Sequence, residues 1–291
     1  MQIIDGSQIE RVTKPGIYSD IPADFYHSQR VTDGPSLSSS TARTMLDDCP
    51  AVVKHERDSG GREPTKAFDI GTAAHLITLE PELFEAEIAR IDAKDYRSKA
   101  AQEARNAARE EGRTPLLPHE VEQLEAMREA LGSHPIARDA FRNGIPELSV
   151  FTRLPSGLWI KARPDYTHRS GSMIVDYKTS TTAHPREFTR KAVSLGYHQQ
   201  AAWYIDTWQA VTGERPSFWF VAQDKSAPYL TSVFRFDDDA IEAGRRLNAR
   251  ALEIYQRCLS TGEWPGYTDG GTYRPFTMSL PAWALEKAIE E

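Results

Sequence analysis

The stretch GLWIKARPD at residues 157–165, followed after a short connection by MIVDYK at residues 173–178, decides the fold. Both segments alternate or run apolar and are rich in Val, Ile and aromatic residues, which predicts strands. Pro155-Ser156-Gly157 precedes the first and HRSGS (168–172) separates the two. With ELSVFTRL (147–154) they predict an antiparallel meander of three strands. Asp165 closes its strand and Asp176 falls near the end of the next, so hairpin pairing can bring two carboxylates together across ten intervening residues. Asp176 and Lys178 are two apart on a strand and share a face.

Two acids and a lysine at the end of a sheet can hold a divalent cation with a nucleophilic water beside it. Carboxylates are hard oxygen ligands suited to Mg²⁺ or Mn²⁺. Such a cation lowers the pKa of its water and neutralises charge building on a phosphoryl oxygen. The lysine can orient that water or stabilise the transition state. Taken singly, an Asp before a turn is commonplace and D-x-K is a weak pattern. The joint placement after consecutive strands carries the reading.

Outward from this centre, residues 1–35 read as loop, broken by Pro15-Gly16, Pro22 and Gly34-Pro35. SLSSSTARTMLDDCP reads as a helix capped by Ser38 and ended by Pro50. DSGGREPT (58–65) reads as a flexible turn, and KAFDIGTAAHLITLEP as a helix with Phe68, Gly71, Ala74, His75 and Leu79 at helical spacing. Two further helices between Tyr96 and Arg142 are broken by Gly112, Pro115 and Pro118. Downstream come a long helix over 185–212, strands at 217–223 and 229–236, and a helix from Asp237 to about Thr261 stopped by Gly262. The order fits a single α/β domain with helical insertions over 36–265, between an irregular segment (1–35) and a tail (266–291).

The composition is that of an average globular protein: 291 residues, 40% hydrophobic, 26% charged, 18 Gly, 18 Pro and two Cys. Disorder throughout, collagen and a disulfide scaffold are excluded. Thirty-five Lys and Arg against 42 Asp and Glu give −7, which excludes a uniformly basic nucleic-acid coat but not a local basic groove. No window approaches the ~18 uninterrupted apolar residues of a membrane helix. The first residues lack the pattern of a signal peptide. Cys49 and Cys258 have no metal-type spacing, which fits a reducing cytoplasm.

GLWIKARPD, IVDYKTS and GYHQQAAWY resemble the PD-(D/E)xK nuclease superfamily in its RecB-like branch, which carries a Q-x-x-x-Y helix. SLSSSTARTMLDDCP, AFDIGTAAHLITLEP, YRSKAAQEARNAAREEGRTPLL and GEWPGY are similar to the RecE-type exodeoxyribonucleases, exonuclease VIII-like enzymes of phages and prophages. The resemblance spans roughly 20–270, with its motifs in order. It implies a central mixed β-sheet flanked by helices. It also implies a Mg²⁺-dependent 5′→3′ exodeoxyribonuclease acting on linear double-stranded DNA ends in homologous recombination. Such enzymes can assemble as homo-oligomeric rings and hand product to a single-strand-annealing partner.

The resemblance implies that His75, Asp165 and Asp176 hold the metal, with the Tyr177 backbone carbonyl, while Lys178 assists the attacking water. A core histidine is the competing reading for His75 alone. Gln200 and Tyr204 share a helix face, and the resemblance places them in the cleft, contacting DNA or positioning Lys178. Core packing of Tyr204 beside a solvated Gln200 is the alternative from spacing. Glu147 opens the first strand, where related nucleases place an outer or second-metal ligand; an ordinary strand-start glutamate is equally consistent. Arg105 and Arg109 share a face of a basic helix that suits phosphate or a solvated ion-pair lattice. Arg186, Arg190 and Lys191 open the Q-x-x-x-Y helix, where the helix N-terminus adds positive charge.

Competing readings are an endonuclease on the same fold and a catalytically inactive DNA-binding relative. The iron–sulfur relatives need four cysteines, and this chain has two. No G-x-S-x-G elbow supports a serine hydrolase.

Overall fold

A computed structural model describes residues 1–59, 66–268 and 272–282. β1 (Ile3–Asp5), β2 (Gly16–Ser19) and α1 (Ala23–His27) open the chain, followed by β3 (Ser36–Ser38), α2 (Ser39–Asp47) and α3 (Pro50–Ser59). A mainly helical stretch holds α4 (Lys66–Leu79), α5 (Phe84–Glu87), β4 (Ile88–Arg90), α6 (Lys99–Glu110), β5 (Thr114–Leu116), α7 (Pro118–Ser133) and α8 (Pro135–Ala140). The strand-rich centre holds β6 (Gly144–Pro146), β7 (Ser149–Arg153), β8 (Trp159–Ala162), β9 (Tyr166–His168) and β10 (Met173–Ser180). α9 (Pro185–Ser194), α10 (Tyr197–Thr212), β11 (Ser217–Asp224), β12 (Thr231–Phe234) and α11 (Asp238–Thr261) follow.

The strands form two mixed five-stranded sheets, ordered β1-β2-β7-β8-β3 and β12-β11-β10-β9-β6, with β4 and β5 paired separately. The α/β class with helical insertions holds, but the expected three-strand meander does not. β7 and β8 form the first hairpin, Arg153 opposite Trp159. Pro164 then interrupts the chain, since proline offers no N–H to a ladder. β9, rather than β8, pairs antiparallel with β10, and β10 runs parallel to β11. Asp165 therefore sits on the link between the two sheets.

Residues 1–35 are not irregular as expected, because β1, β2 and α1 lie there and β2 pairs antiparallel with β7. Ser38 caps α2 as predicted, its Oγ accepting from the Thr41 N–H at 3.3 Å. Pro50, expected to end that helix, instead opens α3. Of the expected turn at 58–65, Asp58 and Ser59 belong to α3 and 60–65 lie outside the described residues. The tail expected over 266–291 is described only at 266–268 and 272–282.

The helix expected over 185–212 is two helices. Gly196 breaks it at φ +65°, a left-handed conformation that glycine adopts without steric cost. Arg186, Arg190 and Lys191 consequently sit on α9, and Gln200 and Tyr204 on α10. α11 is capped by Asp237, whose carboxylate accepts from the Ala240 N–H at 2.8 Å. Gly262 ends it, again left-handed at φ +75°.

Alternation along β10 divides the interior. Ile174 packs with Phe218, Phe220 and the apolar residues of α10 and α11. Val175 and Tyr177 pack with Leu124 and Met127 of α7 and Ala73, Ala74 and Ile77 of α4. A strand covered on both faces reads as a continuous apolar run, which explains MIV and makes the following Asp176 an inward-facing charge. No helix among the described residues is long and apolar enough to cross a membrane.

Candidate active site

His75 projects from α4 with its ring 5.2 Å from that of Tyr177 on β10. Its Nδ1–H donates to the Gly71 carbonyl at 2.9 Å, which turns Nε2 toward Asp165 Oδ2 at 3.0 Å. The same Asp165 oxygen accepts the backbone N–H of Tyr177 at 2.7 Å, tying the inter-sheet link to β10. Burial opposes a charged imidazole, but the adjacent Asp165 outweighs it and pushes His75 up to about 9. Burial likewise works against ionised Asp165, yet His75, Lys178 and the Tyr177 N–H hold its carboxyl below the usual range.

Asp176 is fully buried. Burial first, then the charge of Asp165, pushes its carboxyl up to about 6. Its Oδ2 lies 2.5 Å from Lys178 Nζ and its Oδ1 accepts from Gln200 Nε2 at 2.8 Å. For Lys178, burial disfavours charge, but Asp176 and Asp165 overcome it and raise its pKa. The ammonium also lies 5.2 Å from the Tyr197 ring centroid, within cation–π range. A lysine held protonated acts as a fixed positive charge and hydrogen-bond donor, not as a base.

The fold thus brings His75, Asp165, Tyr177, Asp176, Lys178 and Gln200 together. Gln200 is buried on Asp176 and not solvated, while Tyr204 packs against the core as the alternative reading held. Tyr204, one turn along α10, has its ring 5.8 Å from Phe218 and also lines the cleft. Glu147 lies close by, its N–H donating to the Asp165 carbonyl at 3.2 Å. Its half-buried carboxyl is raised to about 8 by desolvation and then by Asp165, with Arg163 Nε 3.9 Å away.

A cleft of about 240 Å³ opens here, lined among others by Ser38, Arg43, Glu147, Lys161, Arg163 and Asp165. Lys161 and Arg163 were not singled out from the sequence. Lys161 is 4% exposed with no carboxylate partner among the described residues, its Nζ donating to the Tyr26 carbonyl at 2.6 Å. Burial, then the repulsion of Arg163, lowers it to about 8. Arg163 lies over the Tyr26 ring at 4.3 Å. The signal was present: residues 161, 163 and 165 alternate in GLWIKARPD and so tend to one face.

The expected phosphate contacts are more scattered. Lys191 donates to Oγ of Ser180, the last residue of β10, at 3.1 Å, and Arg190 pairs with Glu187 at 3.0 Å. Arg186 is exposed near the start of α9. Arg105 lies over Tyr96 at 5.4 Å, on the same helix as Arg109. That helix packs through Ala108 beside Leu117, Ala89 and Ile91, in a core separate from the carboxylates.

Among the described residues no three His, Cys, Asp or Glu side chains already converge as a ready metal cluster. The reason is visible in Asp176, whose two oxygens are engaged by Lys178 and Gln200. The donor chemistry nonetheless fits a hard divalent cation. Burial and then the charge of Asp165 raise Asp176, and an imidazole stands against Asp165. Two carboxylates and an imidazole are acceptable ligands for Mg²⁺ or Mn²⁺.

Residues 38–274 match the model of a family described as a PDDEXK-like domain of unknown function (DUF3799). The chain belongs to that family. This PDDEXK-like protein agrees with the superfamily expected from IVDYKTS, and nucleases of that kind generally use divalent metals. A provisionally assigned exonuclease from Eubacterium rectale superimposes with a TM-score of 0.60 at 14% identity, over 91% of this chain and 97% of that one. At that identity the likeness concerns the fold. A phage-related exonuclease from Haemophilus somnus 129PT shares 14% identity over 78% of this chain and 96% of its own, with a TM-score of 0.32. An alkaline exonuclease from Laribacter hongkongensis shares 17% over 62% and 96%, with a TM-score of 0.25. Neither of these two superpositions is close enough to carry an argument. No curated protein matches the sequence significantly.

Proposed function

We propose that this PDDEXK-like protein is a divalent-metal-dependent exodeoxyribonuclease that degrades linear double-stranded DNA in the 5′→3′ direction. The observation that carries the reading is the Asp165–Asp176–Lys178 arrangement. Asp176 is buried, its carboxyl is raised by that burial and then by the charge of Asp165, and an ammonium lies 2.5 Å from it. Asp165, Asp176, His75 and the Tyr177 carbonyl would hold Mg²⁺, with Mn²⁺ a substitute and Glu147 an outer or second-ion ligand. When bound, the cation supplies a water of lowered pKa and offsets charge on the phosphoryl oxygen.

The protein's own groups do the rest. Lys178, kept protonated, donates to the attacking water or to the phosphoryl oxygen as charge builds there. Gln200 holds Asp176 on its other oxygen, and Tyr204 lines the cleft beside it. Exonuclease action, 5′→3′ polarity and a role in phage-type recombination follow from the RecE-like motifs. So do a homo-oligomeric ring and a single-strand-annealing partner, while the cytoplasmic setting follows from the two cysteines without metal-type spacing.

Digestion of linear duplex against covalently closed circular DNA, with Mg²⁺ or EDTA, tests the proposal. Loss of linear duplex with Mg²⁺ alone is expected, with label released first from the 5′ end. Cutting of the closed circle would favour an endonuclease instead. Light scattering of the purified protein reads the assembly state.

A further inference from the structure

A second basic feature lies outside the catalytic cleft. Arg11, Arg30 and Arg57 line a shallow open groove of about 310 Å³, together with Thr32, Asp33, Gly34 and Pro35. Arg11 and Arg30 are exposed and enter no ion pair among the described residues. Arg57 lies over the Trp264 ring at 5.0 Å, with its Nε 3.4 Å from Asp58, so Arg11 and Arg30 carry most of the groove's free charge. The groove's acid is already engaged: Asp33 accepts from Trp159 Nε1 at 2.7 Å and faces Arg153 at 3.6 Å. The groove is therefore cationic on a chain whose net charge is −7.

Its position relative to the cleft is set by strand register. β3 pairs parallel with β8, Ser36 opposite Trp159 and Ser38 opposite Lys161. Pro35 and Gly34, at the Trp159 end, line the groove, whereas Ser38 and Lys161 line the cleft. Three residues of extended chain separate Pro35 from Ser38, roughly 10 Å. A second path agrees, because Tyr26 and His27 line the cleft and Gln29 and Arg30 the groove.

We propose that Arg11, Arg30 and Arg57 form a distal phosphate-binding site for the DNA substrate, on the wall beside the cleft in which the bond is cut. The proposal rests on the nuclease reading above. The site would give sequence-independent affinity and register on the backbone, since guanidinium groups contact phosphate and no base edge. It also places basic residues locally, on one wall beside the cleft, within an acidic envelope.

The test is salt-dependent binding of a fluorescent linear duplex in EDTA, where no turnover intervenes. The variant carries Arg11→Gln and Arg30→Gln, both at exposed positions whose replacement leaves the core intact. The control carries Arg138→Gln on α8 and Arg142→Gln just after it, an equal charge change elsewhere. Each phosphate contact contributes about 0.9 to the slope of log affinity against log salt. The groove variant is expected to lose roughly 1.8 from that slope. Its deficit relative to wild type should then shrink about 12-fold between about 50 and about 200 mM salt. The control should keep the wild-type slope. An unchanged slope in the groove variant, or an equal loss in the control, would overturn the proposal while leaving the nuclease assignment untouched. A wild-type protein that neither binds nor digests duplex would remove the nuclease reading itself.

Discussion

His75 Nε2 and Asp165 Oδ2 lie 3.0 Å apart although the two residues are 90 positions apart in the chain. The contact joins α4 to the link between the sheets, and its geometry depends on Gly71 receiving the other ring nitrogen. His75→Ala should weaken Mn²⁺ binding more than about 10-fold, the scale on which even outer groups of metal sites act. Isothermal titration of the purified protein reads it. Equal Mn²⁺ affinity in the variant would show that His75 is a structural partner of Asp165 only.

The pKa of His75, pushed up to about 9, predicts how stability follows pH. Its folded value exceeds its unfolded value, so the stabilisation is fully present below about 6.5 and is lost as pH rises through 9. Metal-free protein should therefore melt at lower temperature at pH 9 than at pH 6.5, and His75→Gln should flatten that slope. Cation binding must displace the same proton, so Mn²⁺ affinity should rise over this interval.

Asp176 works in the opposite direction. Its folded carboxyl, raised to about 6, binds a proton more readily than in the unfolded chain. Its unfavourable contribution develops as pH rises from about 4 to about 6 and is complete above that. Activity should accordingly fall on acidification through about 6, where Asp176 becomes neutral. A rate profile flat from pH 5 to 8 would contradict this.

Lys178→Met should reduce turnover about 10²–10³-fold, as expected for a lost electrostatic contact to the transition state. It also leaves Asp176 buried without its cation, which should move the Asp176 titration further upward. Lys178→Arg should not rescue turnover fully, because a planar guanidinium cannot replace a compact ammonium 2.5 Å from the carboxylate.

Gly244→Ala should destabilise the protein by about 1–3 kcal/mol through overpacking. A Cβ there would stand 2.3 Å from the His198 carbonyl and 3.0 Å from Gln199 Cα, forcing α11 away from α10. Because Gln200 follows directly, turnover should fall along with melting temperature. Thermal melts and single-turnover digestion measure the two effects.

Local chemistry explains what could be read in advance. Ser38, Asp237 and Gly262 mark helix ends through hydrogen bonds and backbone freedom that depend on a few neighbouring residues. Asp176 and Lys178 were legible as a shared face because strand alternation is a property of the chain itself. The PDDEXK-like class was legible for the same reason, since it rests on short motifs in order.

Long-range packing decided the remainder. Pro164 sends β9, and not β8, to β10, a choice made by which backbone N–H groups a ladder can use. β2 looks like loop until β7 supplies its partner. Lys161 and Arg163 stand in the quoted motif, yet their membership in the cleft depends on α1, which the loop-like N-terminus concealed. The fold class, the acid–acid–lysine pattern and the helix ends at Ser38, Asp237 and Gly262 were readable from the chain alone, because they are set within a few residues. Which groups meet was settled by packing: His75 with Asp165, Gln200 with Asp176, and Arg11 with Arg57 along one groove. Those meetings depend on sheet pairing and helix packing between distant segments, and charge and burial at the site exist only once that packing has formed.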